Sequence, residues 1–476
     1  MELFGGLDIG TNGVRLVLAD DRLKIIHQNQ AYYKTNSPAE GRAEQDPNEI
    51  YQATYRLLQE VVNKFTDDKI YLALSSVMHS IMGVDNKGNA LTPLIIWADT
   101  RARGECSNLK ELYGTGFFYK NTACPLHSTY WPAKITWLKK NITEDIMLYV
   151  SIKEYLIYRL SGLWKADCAI ASTSGIYNPL LNDYDSSILK KLGISRDNLS
   201  ELVPSNYQFE FKIEGKSLYG IIGSTDGPLA NLGSGAIRED SIVLTAGSSS
   251  AVRFISEDLI FDKQARVWNY MLDSDYYVLG EATNGAGLLL NWLAEIFNYQ
   301  NAENMIKENL AGFPYKINNV FCVPTMMGER GPSYNESIRG LFYGLSLNHS
   351  RQDMIISLYE SIAFYLKMVF DDLHRVINPQ RDFLIITGGL GTSPIFRKLL
   401  SYLIGDLNYL PEYEQSTALG SVMLAIKEIK KVSYLEQVKF LPEPSPVLVD
   451  TDNGFKQNLC NKYERFIDLY NKFSQL

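Results

Sequence analysis

Two periods of apolar residues alternate along the chain. Val14, Leu16 and Leu18 recur at every second position, interleaved with Arg15 and Val17, and predict a strand returning from a first strand that ends at Asp8. A helical period follows. Ile50, Thr54, Leu57, Leu58, Val61 and Phe65 share one face of a helix whose start is marked by Asp46 as N-cap, Pro47 in the first turn and Glu49 closing a capping box. Tyr71 to Val77 and Leu94 to Trp97 are short apolar runs of strand length, the second leading into Ala98-Asp99-Thr100-Arg101 and a further helix. This alternation of strands and helices predicts an α/β class with a mixed sheet.

The second half repeats the plan of the first. Ile242 to Phe254 reads as strand, then Gly247 with Ser248, Ser249 and Ser250, then Val252-Arg253 in a returning strand. The first hairpin runs Asp8-Ile9-Gly10-Thr11-Asn12-Gly13-Val14-Arg15, with five positions from Gly10 to Arg15 against six from Gly247 to Arg253. That is a shared design and not a strict repeat. It predicts two domains, 1–239 and 240–476, with a boundary near Glu239-Asp240 and a nucleotide held from both sides of a cleft. Helices are expected from about Gly285 to Phe297 and after Ser350, where Ser350 and Asp353 form a capping box. A strand Phe383–Thr387 then meets the Gly388-Gly389 turn, with Ser393-Pro394 opening another helix.

Composition narrows the class. A chain of 476 residues exceeds a single hydrophobic core, and 21% charged against 46% apolar residues describes a globular protein. A net charge of -8 without a basic stripe argues against a nucleic-acid surface. No apolar run reaches membrane-span length and no signal core follows Met1, so neither a membrane partner nor export is expected. The cysteines (Cys106, Cys124, Cys168, Cys322, Cys460) lack C-x-x-C spacing and are expected as free thiols, which suits a cytoplasmic location.

The candidate chemistry sits at strand ends. Gly10 and Gly13 can take positive φ and present amides around Thr11 and Asn12 to phosphate, and Asp8 beside such a cradle calls for Mg²⁺ between the like charges. Asp226 follows the strand Tyr219–Gly223 at the start of a helix that Pro228 is expected to open. It reads either as an ordinary N-cap or as the carboxylate that accepts a hydroxyl proton in phosphoryl transfer. His79 after its strand is a ligand contact or a structural histidine, and Asp99 with Arg101 suit a polyhydroxylated ligand or an internal ion pair equally. Trp97 reads as core, and His127 as a ligand or a loop contact. Gly388 and Gly389 lack dinucleotide spacing and suit a flat shelf under adenine or ribose, or simply a tight turn. No P-loop and no metal-ligand cluster of His and Cys occurs.

Taken together, Gly6-Leu7-Asp8-Ile9-Gly10-Thr11 with Arg15, Met78-His79-Ser80, Pro93 to Arg101, the Asp226 segment, Gly328-Glu329-Arg330 and Arg339 to Leu345 resemble the FGGY carbohydrate kinases. The resemblance extends along nearly the whole chain. Within that family it is most similar to gluconate kinases, on Trp97 to Arg101, His127 and Ser151-Ile152-Lys153-Glu154-Tyr155. It implies a two-domain actin-like ATPase (ribonuclease H-like) fold, with mixed sheets flanked by helices and a central cleft. By similarity Asp226 is the base, and Met78, His79, Asp99, Arg101 and His127 bind substrate with it. Asp8 holds Mg²⁺; Thr11, Asn12, Arg15, Gly247, Ser248, Gly287, Gly388 and Gly389 pass along ATP.

The implied reaction moves the γ-phosphoryl group of ATP to a primary hydroxyl of a sugar acid, D-gluconate to 6-phospho-D-gluconate. A xylulokinase-like pentulose kinase is the alternative, and an actin-like ATPase without sugar kinase activity the reading from another class. An aldonate asks for a cation, from Arg101 or His127. Oligomeric state is left open, a homodimer included. The pattern departs from the family at Trp131, where a small or hydroxylated residue is usual three positions before Lys134, at Lys140 and at Leu358.

Overall fold

Alternation in the first strand, Glu2–Ile9 (β1), puts Leu3, Leu7 and Ile9 on one face and Phe4 and Asp8 on the other. Both faces are covered in the computed structural model, which describes residues 1–238, 241–379, 383–410, 416–449 and 452–474. Ile50, Leu57, Leu58 and Val61 of helix Pro47–Lys64 (α1) pack on the first face. Ala418, Val422 and Met423 of the helix Ser416–Lys430 pack on the second. Each such buried aliphatic side chain contributes roughly 1.5–3 kcal/mol. A strand covered on both sides reads as a nearly continuous apolar run, as β1 does.

The chain divides into two compact units. Unit 1 takes in Met1–Arg238 together with Ile255–Leu279 and Glu414–Pro442, two stretches that the sequence partition assigns to the second domain. The expected boundary at Glu239-Asp240 lies outside the described residues.

The six-stranded sheet of unit 1 is built from β1, Gly13–Ala19 (β2), Ile25–Tyr32 (β3), Lys69–Ser76 (β4), Gln208–Ile213 (β5) and Lys216–Thr225 (β6). Its order is β5-β6-β4-β1-β2-β3, with β6, β4 and β1 parallel at the centre. Unit 2 repeats the local plan, as the spacing of the second hairpin suggested. Ser241–Ala246 (β7) pairs antiparallel with Ser250–Ser256 (β8) and parallel with Phe383–Thr387 (β9), as β1 does with β2 and β4.

Local expectations hold with corrections. Asp46 caps α1 through the N2 amide of Asn48 at 2.8 Å, and not the N3 amide of Glu49 that a capping box uses. Ser350 and Asp353 do form the box at the head of the helix Arg351–Ile377. The helix after β6 opens at Asp226 with Thr225 as N-cap, two residues before Pro228 (Asp226–Gly233, α4). Neither Gly10 nor Gly13 adopts positive φ. Glycine is required at 13 for a different reason: a Cβ there would stand 2.5 Å from the Ala31 carbonyl oxygen on β3.

Candidate active site

Register assembles the centre of the site. Asp8 on β1 lies beside Ser75 on β4, and Ser75 beside Ser224 on β6, so one row of polar residues crosses the three parallel strands near their C-terminal ends. This is the edge at which open α/β sheets place ligands. The row exists because β6 carries a bulge between Ile221 and Ser224. One extra residue moves Ser224 to the face opposite the one that strict alternation would give it, and onto that of Ser75 and Asp8. Gly223 makes the bulge feasible, with φ +79° and a backbone so close to β4 that a Cβ would meet the Leu74 carbonyl oxygen at 1.9 Å.

Asp226 follows the bulge at the first position of α4. Its Oδ1 accepts from its neighbour Gly227 N at 2.9 Å and from Met78 N at 3.3 Å. Those amides, and the positive end of α4, favour the carboxylate form. Asp8 is almost fully buried and its Oδ1 accepts from Ser75 Oγ at 3.0 Å. Burial pushes its carboxyl up to about 6, against the opposing pulls of Ser75 and of Arg15, its register partner on β2. A buried carboxylate held against its own desolvation is what a divalent cation would relieve. A Cβ at Gly10 would stand 3.9 Å from Asp8 Oδ2, so glycine there leaves space beside that oxygen. Among the described residues no cluster of three or more His, Cys, Asp or Glu stands ready for a metal. A single buried carboxylate of this kind fits a Mg²⁺ ion that keeps most of its waters.

The turn that follows Asp8 is braced from below. Gly10 N donates to Gly13 O at 3.0 Å, Gln45 Nε2 to Thr11 O at 2.5 Å, Trp97 Nε1 to Thr11 Oγ1 at 3.1 Å and the Tyr33 hydroxyl to Gly10 O. Trp97, expected as core, is thus half-buried and ties its own loop to the hairpin. Asn12 and Arg15 are exposed beside it.

His79 is buried and adopts φ +63°, a conformation that histidine tolerates better than most residues. Its Nδ1 lies 2.7 Å from the Thr173 carbonyl, an acceptor only, so Nδ1 carries the proton. Tyr130 and Tyr270 meet the ring edge-on at centroid distances of 5.0 and 5.7 Å and join hydroxyls at 2.6 Å, and Trp268 stacks on Tyr270. Lys134, completely buried, donates to the carbonyls of His79 at 2.8 Å and Ile96 at 3.0 Å, tying together the two loops that carry His79 and Asp99. Burial pushes this amine down to about 7, with Asp99 opposing and Arg101 reinforcing the shift. Trp131, the departure from the family pattern, opens its helix and donates its indole N–H to Ser80 O at 3.1 Å.

Between the two readings of Asp99 and Arg101, the ion pair is what the structure contains. Arg101 reaches Asp99 at 2.7 Å and Glu44 at 2.5 Å and lies over the Trp137 ring. Burial opposes its charge, but the two carboxylates outweigh it and hold the guanidinium's pKa above its ordinary value. Asp99 also accepts from Ala43 N at 2.7 Å. His127 is buried, and its Nδ1 accepts from Thr129 N at 3.1 Å, which leaves the proton of the neutral ring on Nε2.

In unit 2 the second hairpin turn is locked to the helix Gly287–Ile296. Gly287 N donates to Gly247 O at 2.9 Å and Ala286 N to Ser248 O at 3.0 Å, and a Cβ at 287 would press to 3.0 Å on Gly247 O. Gly388 has φ +88°, and a Cβ there would sit 2.5 Å from Ala246 O; Gly389 begins a single 3-10 turn, Gly389–Thr392. Thr245 and Thr387, side by side on β7 and β9, join hydroxyls at 3.2 Å, and Arg253 donates to Thr245 at 3.2 Å. The hairpins differ in that Arg15 stands opposite Asp8, whereas Arg253 stands opposite Val243.

Comparison with known proteins agrees with this architecture. Residues 3–233 match the N-terminal domain, and 242–428 the C-terminal domain, of the FGGY family of carbohydrate kinases. The chain is 29% identical to a gluconokinase of Bacillus subtilis over 91% of this chain and 89% of the relative, and 23% identical to a xylulose kinase of Staphylococcus xylosus over 97% and 99%. Among solved structures, a ligand-bound xylulose kinase from Lactobacillus acidophilus superposes with a TM-score of 0.88 at 25% identity, covering 100% of this chain and 99% of that one. A gluconate kinase from the same organism gives 0.88 at 26%, covering 99% and 98%. With both domain signatures matched in order and the strand-end carboxylates in place, the chain belongs to the FGGY family of carbohydrate kinases, enzymes of the actin-like ATPase fold that use ATP to phosphorylate sugars.

Proposed function

We propose that this kinase phosphorylates a sugar acid, D-gluconate giving 6-phospho-D-gluconate, with Asp226 as the base. The observation that carries the reading is the Asp226 carboxylate itself, which follows one parallel strand and is fixed by two backbone amides, two residues beyond the row that joins Ser224 to Asp8. In this reading Asp226 orients the attacking hydroxyl and accepts its proton, and the phosphoryl group moves directly without a phosphoenzyme. By the family resemblance, Thr11, Asn12, Arg15, Gly247 and Ser248 would serve the phosphates. Gly287, Gly388 and Gly389 border the nucleoside. Asp8 would hold Mg²⁺, which when bound neutralises phosphate charge.

The gluconate assignment is supported by the similarity to the Bacillus subtilis gluconokinase and by the donors around His79. Arg101 is also paired with Asp99 and Glu44, and either Arg101 or His127 would supply the cation that an aldonate carboxylate asks for. Met78 and His79 line the hydroxylated part of the sugar. The similarity in fold to a xylulose kinase favours a pentulose as the second reading.

A substrate panel decides between them. ATP consumption is expected to be fastest with D-gluconate, slower with xylulose and slowest with glycerol; xylulose ahead of gluconate would transfer the assignment to the pentulose reading, and indifference to every sugar would sink the kinase reading. His79→Ala is expected to raise KM for the sugar roughly ten-fold by loss of hydrogen bonding and packing, with little change in KM for ATP. The parallel variant His79→Asn keeps a residue that tolerates positive φ. An unchanged sugar KM in both would return His79 to a purely structural role.

A further inference from the structure

Lys153 is a charged side chain withdrawn wholly from solvent. It occupies the second position of the helix Ile152–Ser161 (α3), where the helix end is itself positive. Burial pulls its pKa down, and Asp167 opposes that pull. Its ammonium donates to Ser224 O at 2.6 Å and Ile222 O at 3.3 Å, and it forms an ion pair with the Asp167 carboxylate at 2.6 Å.

The two carbonyls are the flanks of the Gly223 bulge. A bulge interrupts the ladder and leaves backbone groups that must find partners elsewhere. The amides of Ile222 and Gly223 turn back to Tyr207 O at 2.9 Å and Ser205 O at 3.0 Å. The neighbouring carbonyls converge instead on one point, where a single group with several donors, Lys153, serves both. Asp167 completes the device, because its Oδ1 caps the short helix Cys168–Ser172 through Ile170 N at 2.8 Å while Oδ2 faces the ammonium.

We infer that the buried Lys153–Asp167 pair is a positioning device for phosphoryl transfer: by holding the Ile222 and Ser224 carbonyls it fixes the bulge that sets the place of Asp226 two residues later. An apolar residue at 153 would fill the space but release both carbonyls, and β6 would be free to relax toward regular pairing. Displacement of a base by about 1 Å costs up to roughly 10²-fold in rate. The sugar contact at His79 hangs on Thr173, at the end of the short helix that Asp167 caps, and an Asn at 167 keeps that cap, so the effect falls on kcat and spares KM.

This inference rests on Asp226 being the base, and the experiment separates the two. The double variant Lys153→Met/Asp167→Asn removes both charges together and keeps an acceptor for the Ile170 amide. Assayed with ATP and D-gluconate, or xylulose if the panel selects it, kcat is expected to fall ten- to hundred-fold with both KM values within about three-fold. Full kcat in the folded double variant, or a rise in sugar KM at constant kcat, overturns the inference while Asp226→Asn remains inactive. Activity retained by Asp226→Asn removes the base assignment, and the inference with it. Should the double variant fail to fold, Asp167→Asn alone gives the same readout, since a buried ammonium without its counter-charge loosens its hold: kcat falls at constant KM, or the inference is wrong.

Discussion

Asp226→Asn is expected to reduce phosphoryl transfer by roughly 10²–10⁴-fold, the range for loss of a positioned general base, while ATP affinity stays within a few-fold of the parent. The substitution keeps the shape of the side chain and an oxygen to accept from the Met78 and Gly227 amides, so the bulge and α4 survive. What it removes is the proton acceptor. Calorimetric titration with ATP and turnover with sugar measure the two quantities separately. Loss of both together would indicate a collapsed loop, and retention of turnover would place the base elsewhere.

Asp8→Asn is expected to act in opposite directions on activity and stability. Removing the proposed Mg²⁺ ligand should cost on the order of 10²-fold or more in turnover. In the protein without metal or nucleotide, the same change should raise stability. Burial lifts the folded-state pKa of Asp8 from 3.8 to about 6, so the native state binds this proton more tightly than the unfolded chain does. Stability is therefore unaffected by the group below about pH 4, falls as pH rises toward 6, and above 6 bears the full penalty, on the order of 3 kcal/mol. Asparagine carries no such penalty and still accepts from Ser75. Melting curves at pH 8 and pH 4 test this: the variant should melt higher than the parent at pH 8, and the two should converge at pH 4. A variant less stable at pH 8 would show that Asp8 is there for the fold and not for a ligand.

Much of this was written in local pattern. Strand alternation around Val14–Leu18, the helical stripe from Ile50 to Val61 and the strand before Gly388 appear as the periods require, because each depends on residues a few positions apart. Asp8, Asp226 and His79 were legible as candidates because strand ends followed by polar or turn residues are where α/β sheets carry function. All five cysteines are free, as their spacing suggested, and no helix among the described residues is long and apolar enough to cross a membrane.

What local pattern could not supply is the list of partners. A lysine inside a helix is ordinarily solvated, so nothing near Lys134 or Lys153 announces that each is buried against two backbone carbonyls. Tyr130 and Tyr270 converge on His79 from segments some 140 residues apart, and Trp268 stacks on Tyr270. That Arg101 pairs with Glu44 as well as with Asp99 was equally out of reach, because Glu44 lies far back in the chain.

By itself, then, the sequence determined the kinds of element, the paired hairpins and the residues able to do chemistry, since periodicity and turn composition are short-range properties of the chain. Only the tertiary structure decided which of those residues share a face. That decision rests on register, and in β6 on a single bulged residue at Gly223, because in a strand one position more or less sends every following side chain to the opposite side.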